Sequence, residues 1–120
     1  MTTEQAIKPI TSHYATDEDY KKRYDHLCKH FKDNLGYIQF PKYDLVIRKE
    51  GAGCRWFHEN KYKVEVVVNA DNYADNKTHQ NIAGFVLFSS FEDAILHMVL
   101  VENTALRIIE EEGRKKHDNI

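Results

Sequence analysis

The order of apolar and polar residues along the chain changes period twice. After Thr16 the apolar residues Tyr20, Tyr24, Leu27, Phe31 and Leu35 recur in steps of four and three. That spacing places them on one face of a helix, with Lys21, Lys22, Asp25, Lys29 and Lys32 turned to water. Thr16 and Asp19 have the spacing of a capping box, and Asp17, Glu18 and Asp19 put negative charge at the positive end of the helix dipole. Gly36 is the expected stop, since glycine tolerates the left-handed turn that ends many helices.

Beyond Gly36 the period falls to two. Residues 37–40 read as a short strand that Pro41 ends or confines to an edge, and 43–49 as a strand with Leu45 and Ile47 on one face. Gly51 and Gly53 predict a turn over 50–53, followed by a short strand over 54–57 and a turn over 58–61. Tyr62, Val64, Val66 and Val68 alternate with Lys63, Glu65, Val67 and Asn69, which is the strongest strand pattern in the chain. Residues 70–81 are rich in Asn and Asp and lack a period, so they predict a long loop. Residues 82–88 are nearly all apolar and predict a last, central strand.

The second change of period comes at Ser89 and Ser90. Each has an acid three residues on, Glu92 and Asp93, so each is a candidate N-cap for a helix from Phe91 to about Glu112. Gly113 is its expected stop, and Arg114, Lys115, Lys116 and His117 form a basic tail. The elements predict an α+β fold: an N-terminal helix, an antiparallel meander sheet of three to five strands, and a long C-terminal helix packed on the sheet. Both helices are expected on one face of that sheet. The expected organisation is a flexible arm over 1–15 docked through Ile10 and Tyr14, a single domain over 16–113, and the tail over 114–120.

The C-terminal helix carries more apolar surface than one face needs. Phe91, Ala94, Ile95, Met98, Ala105, Leu106 and Ile109 share the face expected to meet the sheet. Leu96, Val99 and Leu100 point away from it, and Val101 and Ile108 lie on its other flank. Either the first helix covers this surplus, or a second subunit does, across a two-fold axis with Leu96, Val99, Leu100 and Asn103 in the interface. Glu102 lies within about 20° of Phe91 at roughly 100° per residue, on the apolar face, so it needs a partner. That partner is a tyrosine or the backbone, or else Glu102 is a buried acid near a site.

Composition narrows the function classes. The chain has 120 residues, 42% hydrophobic and 30% charged, which suits one globular domain able to bury a core. A net charge of −2 argues against a general nucleic-acid binder. Cys28 and Cys54 have no framework spacing and read as free thiols of a reducing compartment. With no apolar run of membrane-spanning length and no signal-peptide pattern, the expected location is cytoplasmic.

The densest candidate chemistry is residues 48–58. Arg48, Lys49 and Arg55 supply positive charge, Gly51 and Gly53 open backbone, Trp56 a stacking or anchoring surface, and His58 a further polar group. The pattern fits a nucleotide or phosphorylated small ligand, a protein contact, or simply a basic hairpin, and it lacks phosphate-loop spacing. His26 and His30 have metal-ligand spacing on the first helix, but no glutamate follows His26, and no metal or cofactor is expected. His58, His79 and His117, with Asp71 or Asp75, form no catalytic pattern, so no catalytic residue is assigned. The expectation is a small non-enzymatic module, homodimeric through its C-terminal helix, that binds a larger protein complex. Its Lys- and Asn-rich composition is of a kind common among virus-encoded accessory proteins and inhibitors.

Overall fold

A computed structural model describes residues 13–50, 61–68 and 80–118. The first helix, α1 (Asp17–Phe31), starts as its sequence predicts: Thr16 accepts from the Asp19 amide, and the Asp19 carboxylate accepts from the Thr16 amide. It ends at Phe31, short of the last apolar position in the periodic stretch. Asp33 and Asn34 are poor helix formers, and the Asn34 amide folds back onto the Phe31 carbonyl at 3.2 Å. Leu35 therefore lies outside the helix and is exposed. Gly36 opens a strand rather than closing a helix.

Three consecutive strands form an antiparallel meander: β1 (Gly36–Gln39), β2 (Tyr43–Glu50) and β3 (Lys61–Val68). Of the predicted last strand over 82–88 only Leu87–Phe88 is a strand (β5); the other short strand, β4 (Gln80–Asn81), falls at the end of the predicted loop, and both pair with β3. β4 lies opposite Val67 and Val68, and β5 opposite Tyr62 and Lys63. The central places thus belong to β2 and β3, and residues 82–88 lie outside β3 instead of forming a continuous central strand. The break has a local cause. The Asn81 side chain accepts from the amides of Val66 and Ala83, each at 3.0 Å, taking over part of the ladder. Gly84 then turns at φ 79°, a left-handed conformation that suits glycine. Ala83 is buried, while Phe85 and Val86 emerge into solvent.

The last helix, α2 (Phe91–Asp118), packs on β3, β2 and β5, and α1 packs against α2. Of the two candidate caps, Ser90 accepts from the Asp93 amide at 3.1 Å, and Ser89 instead accepts from Lys61 Nζ at 2.8 Å. Gly113 does not end this helix, which continues to Asp118, so the basic segment is helical rather than a loose tail. The core is one cluster in which Leu27 and Phe31 of α1, Leu45 and Ile47 of β2, Val64 and Val66 of β3, and Ile95, Met98 and Val99 of α2 are all buried. The architecture is the expected α+β one, with the long helix on the sheet. Glu50 and Lys61, expected in turns, are the last residue of β2 and the first of β3, because the two strands pair along their full length; Ile10, the rest of those turns, the 54–57 strand and most of the 70–81 loop lie outside the described residues.

The two glycines predict opposite substitution effects. Gly84→Ala forces a Cβ into the left-handed region and is expected to destabilise the domain by about 1–2 kcal/mol. Gly113→Ala sits in a helix with nothing near its Cβ and is expected to stabilise by roughly 0.5–1 kcal/mol. Urea unfolding midpoints check both; a Gly113→Ala midpoint at or below wild type would mean that the helix does not persist past this residue.

Candidate functional site

The most densely bonded polar group in the described structure is built on two oppositely charged residues, one on the apolar face of each helix. Glu102 is fully buried and Arg23 nearly so. The Arg23 guanidinium grips the carboxylate with two bonds, Nε to Oε1 at 2.9 Å and Nη2 to Oε2 at 2.6 Å. Tyr43 of β2 donates its hydroxyl to Oε2 at 2.7 Å, and Tyr14 donates to Oε1. Each carboxylate oxygen therefore has two donors. Burial works against the Arg23 charge, but the hydrogen bonds and charge of Glu102 outweigh it and hold the guanidinium above its ordinary pKa. Arg23 also lies over the Phe40 ring, 5.5 Å from its centroid.

Asn103 extends the network. Its Oδ1 accepts from the Tyr14 amide at 2.8 Å, and its Nδ2 donates to the Tyr20 hydroxyl at 2.6 Å. The Tyr14 and Tyr20 rings meet edge to face at 4.9 Å. One residue further out, the His13 amide donates to Glu110 at 2.6 Å. The segment before α1 is thus fastened along α2 by alternating backbone and side-chain bonds. Tyr14 is docked as its sequence position suggests, and Glu102 finds the tyrosine partners its position demands. Arg23 was readable too: it follows Tyr20 by three and precedes Leu27 by four, so it lies on the buried stripe of α1. With every lone-pair direction of Glu102 engaged, this cluster binds the fold together and presents no reactive group.

Two surfaces among the described residues carry exposed large apolar side chains. The face of the sheet away from the helices carries a depression of ≈ 370 Å³ lined by Tyr37, Gln39, Asp44, Val46, Arg48, Glu65 and Val67. Tyr37 is 68% exposed and Phe85, at the β3 side of this face, 86%. Lys63 Nζ lies 4.4 Å from the Phe85 ring centroid. Arg48 Nη2 pairs with Glu65 at 2.6 Å, and Lys63 approaches the same carboxylate at 3.6 Å. The second surface is the outer side of α2, where Leu96 and Leu100 are each about half exposed.

The residues singled out in sequence fall in different places. Arg48 and Lys49 do not act together, because neighbours on a strand point to opposite faces. Arg48 lies on the open face, while Lys49 lies on the helix side with Nζ 5.5 Å from the Tyr62 ring centroid. Arg55, Trp56, His58 and Cys54 lie outside the described residues, as do Asp71, Asp75 and His79. Of the predicted interface, Leu96 and Leu100 face solvent, whereas Val99 and Asn103 are buried within the chain, because α1 and the Tyr14 segment cover that flank of α2. His26 and His30 are exposed on α1, and among the described residues no three His, Cys, Asp or Glu side chains converge to hold a metal ion. Cys28 is a free thiol that burial pushes above its ordinary pKa. His97 meets the Ala83 carbonyl at 2.9 Å and lies tilted against the Phe88 ring, which ties α2 to the broken edge.

No helix among the described residues is long and apolar enough to cross a membrane. Comparison with protein-family models, curated proteins and solved structures finds no match for this chain.

Two measurements test the network. Glu102→Gln leaves a buried guanidinium without its counter-charge and is expected to cost about 3–5 kcal/mol; Tyr14→Phe removes one charge-assisted bond, about 1.5–3 kcal/mol. In the Glu102→Gln background the further loss from Tyr14→Phe is expected to shrink, and full additivity in denaturant unfolding would show that the two residues act separately. The second test is alkaline. Burial first, then the charge and hydrogen bond of Glu102, hold the Tyr14 phenol well above its ordinary 10.0. Burial and a bond to Cys28 push Tyr24 up to about 12. A proton held more tightly folded than unfolded stabilises the fold below the unfolded pKa, and that stabilisation fades as pH rises past it. Stability is therefore expected to fall above pH 10.0, less steeply in Tyr14→Phe than in wild type; equal slopes would count against the buried phenol.

Proposed function

We propose that this protein is a non-enzymatic interaction module that binds a larger protein through the open face of its sheet and self-associates through the outer side of α2. The observation that carries the reading is the pair of mostly exposed aromatic side chains, Tyr37 and Phe85, on the sheet face away from the helices, beside an Arg48, Lys63 and Glu65 charge cluster. A sheet of this kind normally turns one polar face to water. Large aromatic side chains left there favour a contact surface, since aromatic residues rimmed by charge are the usual anchors of protein interfaces. The buried acid and base of the fold, Glu102 and Arg23, are saturated by each other and by tyrosines, which leaves them no role in turnover. A cytoplasmic accessory or inhibitor role belongs to the same proposal and rests on composition.

A second reading, binding of a nucleotide or phosphorylated ligand through residues 48–58, is less favoured. Arg48 is already paired with Glu65, and Lys49 points to the other side of the sheet.

The readings separate experimentally. Tyr37→Asp with Phe85→Asp should change stability little, about 0.5 kcal/mol each at exposed sites, and abolish capture of the protein's partner from its native host. A thermal-shift screen with nucleotides and other phosphates should be flat. A nucleotide that raises the melting temperature, together with undiminished partner capture by the double variant, would replace the first reading with the second.

A further inference from the structure

We infer that α2 pairs antiparallel with α2 of a second copy about a two-fold axis at Leu100, setting Asp93 of each copy against Arg107 of the other. The inference rests on the self-association proposed above and specifies its geometry. The outer stripe of α2 is symmetric about Leu100. Asp93 and Arg107 stand seven residues to either side, and Leu96 and Thr104 four to either side. All five are exposed. Seven residues are close to two helical turns, with a drift of only about 20°, so Asp93, Leu100 and Arg107 fall on one line. Four residues bring Leu96 and Thr104 to the two shoulders of that line.

A two-fold axis through an antiparallel helix pair places each position opposite its mirror position in the partner. With the axis at Leu100, the two Leu100 side chains meet at the centre. Leu96 packs beside Leu100 and Thr104 of the second copy, and opposite charges meet at both ends. Asp93 and Arg107 make no ion pair within the described residues, so both are available. A parallel pair would oppose Asp93 to Asp93 and Arg107 to Arg107, which like-charge repulsion disfavours. The neighbouring flanks of α2 are already occupied, by the Tyr14 segment and α1 on one side and by Ala83 and Phe88 on the other. Among the described residues, this stripe is what α2 leaves exposed for a second helix. The pairing leaves both sheet faces on the outside of the dimer, each free to take a partner. An interface of one helix per copy is small, below about 1,200 Å², the range of transient complexes.

The test is sedimentation velocity of the full chain over a dilution series. Wild type is expected to shift from dimer to monomer on dilution. Leu100→Glu, at a half-exposed position, should stay folded by circular dichroism and be monomeric throughout. Asp93→Arg and Arg107→Asp should each weaken association roughly tenfold, and the two reversals combined in one chain should restore it. That rescue is specific to the antiparallel register, because a parallel pair would oppose arginine to arginine after the double change. A double reversal no stronger than either single change overturns the register while leaving self-association standing. Association unaffected by Leu100→Glu overturns the surface. Wild type that is monomeric at every concentration overturns both the pairing and the proposed self-association.

Discussion

A carboxylate with no exposure to solvent sets the terms for this fold. Taking Glu102 and Arg23 out of water carries a desolvation cost of several kcal/mol per ion. The loss is offset only if both charges meet in good geometry and all other lone pairs are filled. Those conditions bring four separate stretches of chain to one point: the segment before α1 through Tyr14, α1 through Arg23, the start of β2 through Tyr43, and α2 through Glu102. Apolar packing alone would allow α1 to slide or rotate on α2 at modest cost. The forked arginine and the two phenols are directional, so they define one angle and one register between the helices.

From that point outward the molecule is asymmetric. On the helix side everything is filled: Leu27, Phe31, Ile95, Met98 and Val99 close over Leu45, Ile47, Val64 and Val66. The other side of the same strands carries a depression, with valines and an exposed tyrosine among ion-paired side chains. The broken edge belongs to this asymmetry. Asn81 substitutes a side-chain oxygen for part of the ladder, and Gly84 turns the chain so that Phe85 stands clear of the core. Exposed aromatic side chains on that sheet face and exposed leucines on the back of α2 are two distinct surfaces among the described residues. The functional proposals assign one to a partner and the other to self-association.

Much of this was written in local pattern. The helix start at Thr16, the three meander strands and the Ser90 cap follow from spacings within a few residues, where backbone hydrogen bonding and capping are decided. The boundaries that pattern misplaced share a cause. Gly36 and Gly113 carry the chemistry of a helix stop, but whether a glycine stops a helix depends on what precedes and follows it. Asp33 and Asn34 had already ended α1, and the residues around Gly113 carry α2 past it. The apolar run over 82–88 looked central because apolar content reports burial without saying where the burial comes from. Here Ala83 and Phe88 pack into the core beneath α2, Leu87 pairs with Lys63 on the other face, and Phe85 and Val86 are exposed.

By itself the sequence determined the fold class, the docking of Tyr14 and the need of Glu102 for a partner, because each follows from periodicity, capping or the expense of a buried charge. Tertiary structure decided which residues share a surface. It buried Val99 and Asn103 beneath α1 and the Tyr14 segment, left Leu96 and Leu100 exposed, sent Arg48 and Lys49 to opposite faces, and supplied Arg23 as the counter-charge. Those outcomes depend on the angle and register between elements distant in sequence. That geometry is set when the whole core closes, and no window of neighbouring residues contains it.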